Sequence, residues 1–176
     1  MAEQLMETTV RTALWQQFSA AIDMLENALL ACPETLWQEH LWIDVESADE
    51  ETFWETTYHT LGCLDRFLTG CSLEALPVFT KRSDGAIPRD ELYPYLVQLR
   101  QQCQTTFAVL SDEQVHQPYT FPWPGGATVS YFELLLYTLR HVQEHAAQLS
   151  LFLGQHAIPG EALHWVLRAK EEAGWL

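Results

Sequence analysis

Residues 134–145 have the sequence LLLYTLRHVQEH, which combines an apolar, helix-forming pattern with two histidines, His141 and His145. A separation of four residues nearly completes a helical turn, so the two imidazoles lie one above the other on one face of the helix. The same face carries Leu134, Thr138 and Phe152. Neutral imidazoles placed in this way can bind one divalent ion. An ordinary hydrogen-bonded pair in the core is the alternative, because spacing alone does not distinguish the two.

The composition is that of a folded, acidic protein. The chain has 176 residues, which predicts one domain spanning residues 1–176. It is 48% hydrophobic and contains seven tryptophans, which excludes an intrinsically disordered chain. The net charge of -15 makes nucleic acid and membrane surfaces poor partners, since both are anionic. The same charge would attract divalent cations, although acidic surfaces also serve solubility alone.

The sequence predicts a cytoplasmic protein. Residues 1–10 contain no basic region followed by an apolar run, which argues against a secretory signal peptide. No stretch approaches the roughly 20 uninterrupted apolar residues of a membrane span. The cysteines show no C-x-x-C pairing and no zinc-finger spacing, so we expect reduced thiols that mostly fill the core. They are Cys32, Cys63, Cys71 and Cys103.

Apolar periodicity predicts four long amphipathic helices, over about residues 7–31, 47–68, 90–110 and 130–153. Capping-box patterns at Ser47–Glu50 and Ser130–Glu133 start the second and fourth of them, and Gly70 and Gly154 are candidate ends. The loop of residues 71–88 and a Pro/aromatic segment, residues 117–126, separate these helices, and a short helix over residues 161–172 follows them. No convincing strand is visible. The fold class is therefore all-α, a helix bundle.

A third histidine, His59, stands at the edge of the apolar stripe of the second helix. If the second and fourth helices are neighbours, His59 can face His141 and His145 across the core. Three histidines leave a coordination position open, as in a catalytic metal site. The ion would lower the pKa of its bound water, or hold a substrate thiolate. The other histidines have no helical partner at ligand spacing; they are His40, His116, His156 and His164.

Two segments resemble a known family. One segment comprises residues 59–68, HTLGCLDRFL. The other begins with residues 129–136, VSYFELLL, and continues through His141, His145 and Gln148. They are similar to the two histidine helices of the DinB/YfiT-like metalloenzyme family. The resemblance spans most of the chain. It implies an up-down-down-up four-helix bundle, a homodimer, and a metal site on His59, His141 and His145. The implied ion is nickel or zinc, with iron, manganese or copper as alternatives; imidazole suits zinc, nickel, iron and copper.

The resemblance also implies a function class. Relatives act as thiol-dependent S-transferases or metal-dependent hydrolases on small molecules, including low-molecular-weight thiols, and many have no known activity. This chain has Ala146-Ala147 where a further histidine or a glycine often follows the pair, which leaves the substrate class open. The alternatives are a non-catalytic metal-binding or stress-response protein, and a bundle whose histidines are only structural.

Several neighbours of the histidines are candidate helpers. Glu55 lies one turn before His59 and could orient it, unless it is a solvent-facing helix residue. Tyr137 and Arg140 flank the histidine pair and could bind an anionic substrate, or serve solvent and salt-bridge roles. Cys63, one turn after His59, is interpreted as a packing residue, with a redox role or a fourth ligand as alternatives. The catalytic group beyond metal-bound water stays unknown.

A rival motif overlaps the pair. Residues 141–145 also fit H-x-x-E-H, the inverted zinc-protease signature with Glu144 as general base. That signature needs a further acidic ligand downstream in a larger domain, and only 31 residues follow His145. On a helix Glu144 lies about 100° from His145, so we expect it to face solvent or an arginine.

Overall fold

The computed structural model describes residues 2–42, 52–69, 85–121 and 125–158. In these ranges the chain forms five α-helices: α1 (Ala2–Ala31), α2 (Phe53–Thr69), α3 (Arg89–Val109), the short α4 (Asp112–Val115) and α5 (Tyr131–Gln155). A 3-10 turn covers Glu34–Leu36, and two strands, β1 (Pro118–Thr120) and β2 (Thr128–Ser130), pair antiparallel. The predicted all-α class is confirmed. The two strands are missed because three residues are too short to show an alternating pattern.

The four long helices pack so that α1 and α2 each contact α3 and α5. Contacts at the helix ends give the directions of α1 and α3. Arg11, near the start of α1, donates to the carbonyl of Ala108 at the end of α3, at 3.0 Å. Arg89, at the start of α3, donates to the carbonyl of Cys32 just after α1. Helices α1 and α3 are therefore antiparallel.

The same reasoning orients α2 and α5. The backbone N–H of Trp54 donates to the carbonyl of Trp37 at 3.1 Å, which places the start of α2 beside the end of α1. The hydroxyl of Tyr131, at the start of α5, donates to the carbonyl of Leu68 at the end of α2, at 3.3 Å. The helix order is thus up-down-down-up, as the resemblance implies, and it makes α2 and α5 antiparallel neighbours.

The predicted apolar stripes form the core between the helices. On α3 five residues at three- and four-residue steps are buried, and so are five such residues on α1. These residues are Leu92, Leu96, Leu99, Cys103 and Phe107, and Leu14, Phe18, Ile22, Leu25 and Leu29. The rings of Phe18 and Phe107 lie 4.8 Å apart where α1 meets α3. Within the described residues, no helix is long and apolar enough to cross a membrane.

One buried ion pair joins α1 to α3 inside this core. The guanidinium of Arg100 donates to the carboxylate of Asp23, whose side chain is 1% exposed. Arg100 also donates to Ser19 at 2.8 Å and to Glu26 at 3.2 Å. Three acceptors surround the guanidinium of Arg100, so its buried charge is stabilised by hydrogen bonds and by two carboxylates.

Helix ends differ from the prediction in a few places. Helix α2 begins at Phe53, later than the Ser47–Glu50 pattern predicts, and Thr52 and Glu55 form its cap. Residues 47–50 themselves lie outside the described residues. Helix α5 begins after Ser130, as predicted, but passes through Gly154 and ends at Gln155. The positive φ that ends it falls on Ala157 instead. Gly70, residues 71–84 and the predicted helix over residues 161–172 also lie outside the described residues.

Candidate metal centre

The packing of α2 against α5 brings three histidines together. The Nε2 atom of His141 lies 3.2 Å from Nε2 of His59 and 3.2 Å from Nε2 of His145. The ring centroids of His59 and His145 are 5.1 Å apart. All three side chains are half-buried. The contact between residue 59 and the pair on α5, on which the sequence interpretation depends, is therefore present.

Small residues around the histidines let the two helices approach without leaving unpaired donors. Thr60 on α2 and Thr138 on α5 are buried, as is Ala146 beside His145. The hydroxyl of Thr60 donates to the carbonyl of Thr56 at 2.6 Å. The hydroxyl of Thr138 donates to the carbonyl of Leu134 at 2.7 Å. Each hydroxyl is thus satisfied within its own helix, and no polar group of these threonines competes for the imidazoles.

The second nitrogen of His145 is held by Gln148, one turn later on α5. The Nδ1–H group of His145 donates to Oε1 of Gln148 at 2.7 Å. This bond places the ring proton on Nδ1, so Nε2 presents its lone pair towards His141. A histidine that binds a metal usually has its other nitrogen fixed in this way. This role of Gln148 is not predicted from the sequence, although its position three residues after His145 is a signal that could have indicated it.

His141 stays neutral at the centre of the cluster. Burial, followed by the neighbouring charges of His145 and His59, lowers its pKa from 6.5 to about 3. Its Nδ1 atom is buried and has no hydrogen-bond partner among the described residues. The Nε2 atom faces two other Nε2 atoms, but it has only one proton or one lone pair to offer. Hydrogen bonding alone therefore leaves the cluster incompletely satisfied, whereas a shared cation would engage all three lone pairs.

The two Nε2–Nε2 separations at His141 fit a divalent ion. Two nitrogens bound to zinc at about 2.0–2.1 Å with a tetrahedral angle lie about 3.3 Å apart, close to the 3.2 Å found for both pairs. The Sγ atom of Cys63 lies 3.8 Å from Nε2 of His59, and donor atoms of His59, Cys63 and His141 all lie within 4.8 Å of one another. Imidazole and thiol donors suit zinc, nickel and related ions.

Aromatic rings cover one side of the centre. The ring of Tyr137, one turn before His141, stacks on the His141 imidazole, with centroids 6.0 Å apart and an angle of 28°. The rings of Phe67, on α2, and Phe121 pack edge-on against the ring of Tyr137, with centroids 5.6 Å and 5.2 Å away. Phe121 follows β1, and its N–H bonds to the carbonyl of Ala127, which closes the hairpin. The described part of the Pro/aromatic segment thus packs beside the histidines; residues 122–124 lie outside the described residues.

The predicted helpers are placed differently. Oε2 of Glu55 accepts hydrogen bonds from the N–H and the hydroxyl of Thr52, both at 3.0 Å, so this carboxylate caps α2. Arg140 and Glu144 are exposed on α5, in agreement with a solvent-facing Glu144. Burial raises the pKa of the Tyr137 phenol, while the nearby charge of Arg140 partly offsets this increase.

The remaining described histidines lie elsewhere. His116 contacts the carbonyl of Asp112 at 2.6 Å, and His156 contacts the carbonyl of Phe152 at 2.9 Å at the end of α5. His40 pairs with Thr52 through the backbone. His164 lies outside the described residues.

The bond between His145 and Gln148 leads to a testable prediction. Replacing Gln148 by leucine keeps the size of the side chain but removes the acceptor for Nδ1–H. We expect metal affinity to fall by roughly 10–100-fold, as when outer-shell partners are lost elsewhere. Competition titration with a chromophoric chelator measures this, and Gln143→Leu, on the same helix, is the matched control. An unchanged affinity in the Gln148→Leu protein would show that this bond does not support a metal ligand.

Comparison with models of protein families assigns the chain to a family. A family model described as the DinB superfamily matches residues 13–149. The matched range is about three quarters of the chain and contains His59, Cys63, His141 and His145. None of the curated proteins compared with the sequence matches it.

Proposed function

This chain belongs to the DinB superfamily, and from that premise we propose that it is a divalent-metal-dependent enzyme with its ion on His59, His141 and His145. The observation that supports the proposal is the position of His141, whose Nε2 atom lies 3.2 Å from Nε2 of His59 and 3.2 Å from Nε2 of His145. The proposed reaction is transfer to a low-molecular-weight thiol, or hydrolysis of a small molecule. When bound, the ion supplies a positive charge that lowers the pKa of a thiol or of water, so that a nucleophile is available near neutral pH.

The residues of the chain would prepare the site in three ways. Gln148 holds the proton of His145 on Nδ1. The low pKa of His141 keeps that ring neutral, so protons do not compete for its nitrogen at physiological pH. The rings of Tyr137, Phe67 and Phe121 exclude water from one side, which strengthens electrostatic interactions at the centre.

Arg140 and Tyr137 are proposed to orient an anionic substrate. Arg140 is exposed one residue before His141, and Tyr137 stacks on the same imidazole. A guanidinium binds a carboxylate through two parallel hydrogen bonds, and a phenol can add a third. A carboxylate held there would place the rest of a small substrate beside the histidines.

The test of this function is turnover with defined chemistry. The zinc- or nickel-loaded protein is incubated with a low-molecular-weight thiol and an electrophile, and separately with ester and amide substrates, with and without chelator. We expect product formation that stops on metal removal and returns when the ion is restored. Turnover that is insensitive to chelator would contradict the metal mechanism. Metal binding without any turnover would leave a non-catalytic metal-binding protein in its place.

A further inference from the structure

We propose that Cys63 binds the same ion through its Sγ atom, so that the centre has three imidazoles and one thiolate. This inference rests on the proposed metal site and adds a fourth ligand to it. The thiol would lose its proton to solvent when the ion binds, because the thiolate is the form that coordinates metals.

The first support is the arrangement of the donors on the two helices. Cys63 follows His59 by four residues on α2, and His145 follows His141 by four residues on α5. Each pair therefore lies along one face of its own helix, and the two faces meet where α2 packs on α5. Two ligands from each of two antiparallel helices can supply the four corners of a tetrahedral site.

The second support is distance. The Sγ atom of Cys63 lies 3.8 Å from Nε2 of His59, which is the same nitrogen that lies 3.2 Å from Nε2 of His141. A sulfur at about 2.3 Å and a nitrogen at about 2.0–2.1 Å from a tetrahedral zinc ion are separated by about 3.6 Å. The observed spacing differs from this value by a few tenths of an ångström, which a rotation of the cysteine side chain can remove.

The other described cysteines show what a packing cysteine looks like in this protein. Cys32 and Cys103 are 1% and 0% exposed, and both belong to the apolar core. The thiol of Cys32 donates to the carbonyl of Pro33 at 3.5 Å. Cys63 is instead half-buried and directs its sulfur at a ring nitrogen. Its position thus differs from that of the core thiols in exposure and in the kind of atom it faces.

A thiolate ligand narrows the choice of ion. Thiolate and imidazole together favour zinc and similar soft or borderline ions, whereas manganese prefers oxygen donors. A fourth protein ligand remains compatible with catalysis, since zinc can accept a fifth ligand during a reaction.

Cobalt(II) substitution tests the inference directly. Cobalt bound to a thiolate shows a sulfur-to-metal charge-transfer band in the near ultraviolet, which cobalt on imidazoles alone does not show. We expect this band in the cobalt-loaded protein, its complete loss in Cys63→Ala, and its retention in the matched control Cys103→Ala. The Cys63→Ala protein should still bind one cobalt ion through the histidines.

The outcomes separate this inference from the proposed function. One bound cobalt ion without the band would overturn the role of Cys63 and leave the three-histidine site standing. A band that persists in Cys63→Ala would show that a different thiolate binds the ion, which would also overturn the role of Cys63. Absence of any bound cobalt in the unaltered protein would overturn both.

A second measurement does not depend on spectroscopy. Alkylation by iodoacetamide, followed by peptide mass analysis, reports each thiol separately. We expect zinc to slow alkylation of Cys63 at least tenfold in the unaltered protein and to have no effect in His141→Ala, which lacks a ligand at the centre of the cluster. Equal rates at Cys63 with and without zinc, in protein that retains one zinc ion, would overturn the inference.

Discussion

Replacing His141 by alanine should abolish metal binding while the helical bundle remains folded. The Nε2 atom of His141 lies 3.2 Å from Nε2 of His59 on α2 and 3.2 Å from Nε2 of His145 on α5. Its loss therefore removes the ligand that lies between the other two. We expect the affinity to fall by more than the roughly 10–100-fold that loss of an outer-shell partner causes, because a direct ligand is removed. Metal analysis after dialysis should find about one ion per chain in the unaltered protein and almost none in the variant.

A matched control keeps this result interpretable. His116 contacts the carbonyl of Asp112, is exposed, and lies in the segment after α4. His116→Ala should retain a full complement of metal. Circular dichroism of both variants should match the unaltered protein, because neither residue belongs to the apolar core. Full metal content in His141→Ala would show that the ion, if any, binds elsewhere.

Replacing Asp23 by alanine should destabilise the bundle by about 3–5 kcal/mol, as expected when one partner of a buried ion pair is removed. The Asp23 side chain is 1% exposed and accepts from Arg100, whose side chain is 15% exposed. Without the carboxylate, the cation between α1 and α3 keeps only partial compensation from Ser19 and Glu26. Urea unfolding measures the change in the free energy of unfolding. In a thermal melt the loss should lower Tm by roughly 6–20 °C.

Two further variants identify the cause. Removing both charges together, in Asp23→Leu with Arg100→Met, should recover most of the lost stability, since a buried pair is often replaceable by apolar residues of similar volume. Glu26→Ala removes a less deeply buried partner of the same arginine, together with the acceptor of the Tyr93 hydroxyl, and should lower the free energy of unfolding by less than Asp23→Ala does. If Asp23→Ala were no more harmful than Glu26→Ala, the buried pair would not be a major contribution to stability.

Much of the bundle follows from periodicity. The stripe Leu92, Leu96, Leu99, Cys103 and Phe107 is buried, because apolar residues at three- and four-residue steps lie on one face of a long helix and leave water together. Ser130 caps α5 as predicted, because its side chain accepts from the N–H of Glu133 at 3.2 Å. Apolar stripes and helix caps depend on residues within one helix, so they can be predicted directly from the sequence.

Features that depend on contacts between distant segments could not be predicted in the same way. Helix α2 is capped by Thr52 and not by the predicted Ser47–Glu50 pattern. Thr52 also forms an antiparallel β-bridge with His40, which lies 12 residues earlier in the chain. The hairpin of β1 and β2 depends on pairing between two strands that are too short to recognise. Even at the centre, spacing predicted the pair His141 and His145, whereas the approach of His59 required the family resemblance, because no local pattern links α2 to α5.

Family membership does not by itself establish that the protein is an enzyme. Membership of the DinB superfamily agrees with the fold and with a possible metal centre, but it does not determine the reaction. The homodimer that the resemblance implies also stays a prediction, which sedimentation analysis of the loaded protein can test. The substrate must be found by the turnover experiments, guided by the donor set and by the exposed Arg140.

Anomalous X-ray diffraction from crystals of the zinc-loaded protein, measured across the zinc absorption edge, tests the central claim most directly. We predict one strong peak per chain between α2 and α5, about 2.0–2.1 Å from the Nε2 atoms of His59, His141 and His145. Zinc at full occupancy in a different place, or its absence from these three nitrogens in protein that is folded and saturated with the ion, would contradict the account.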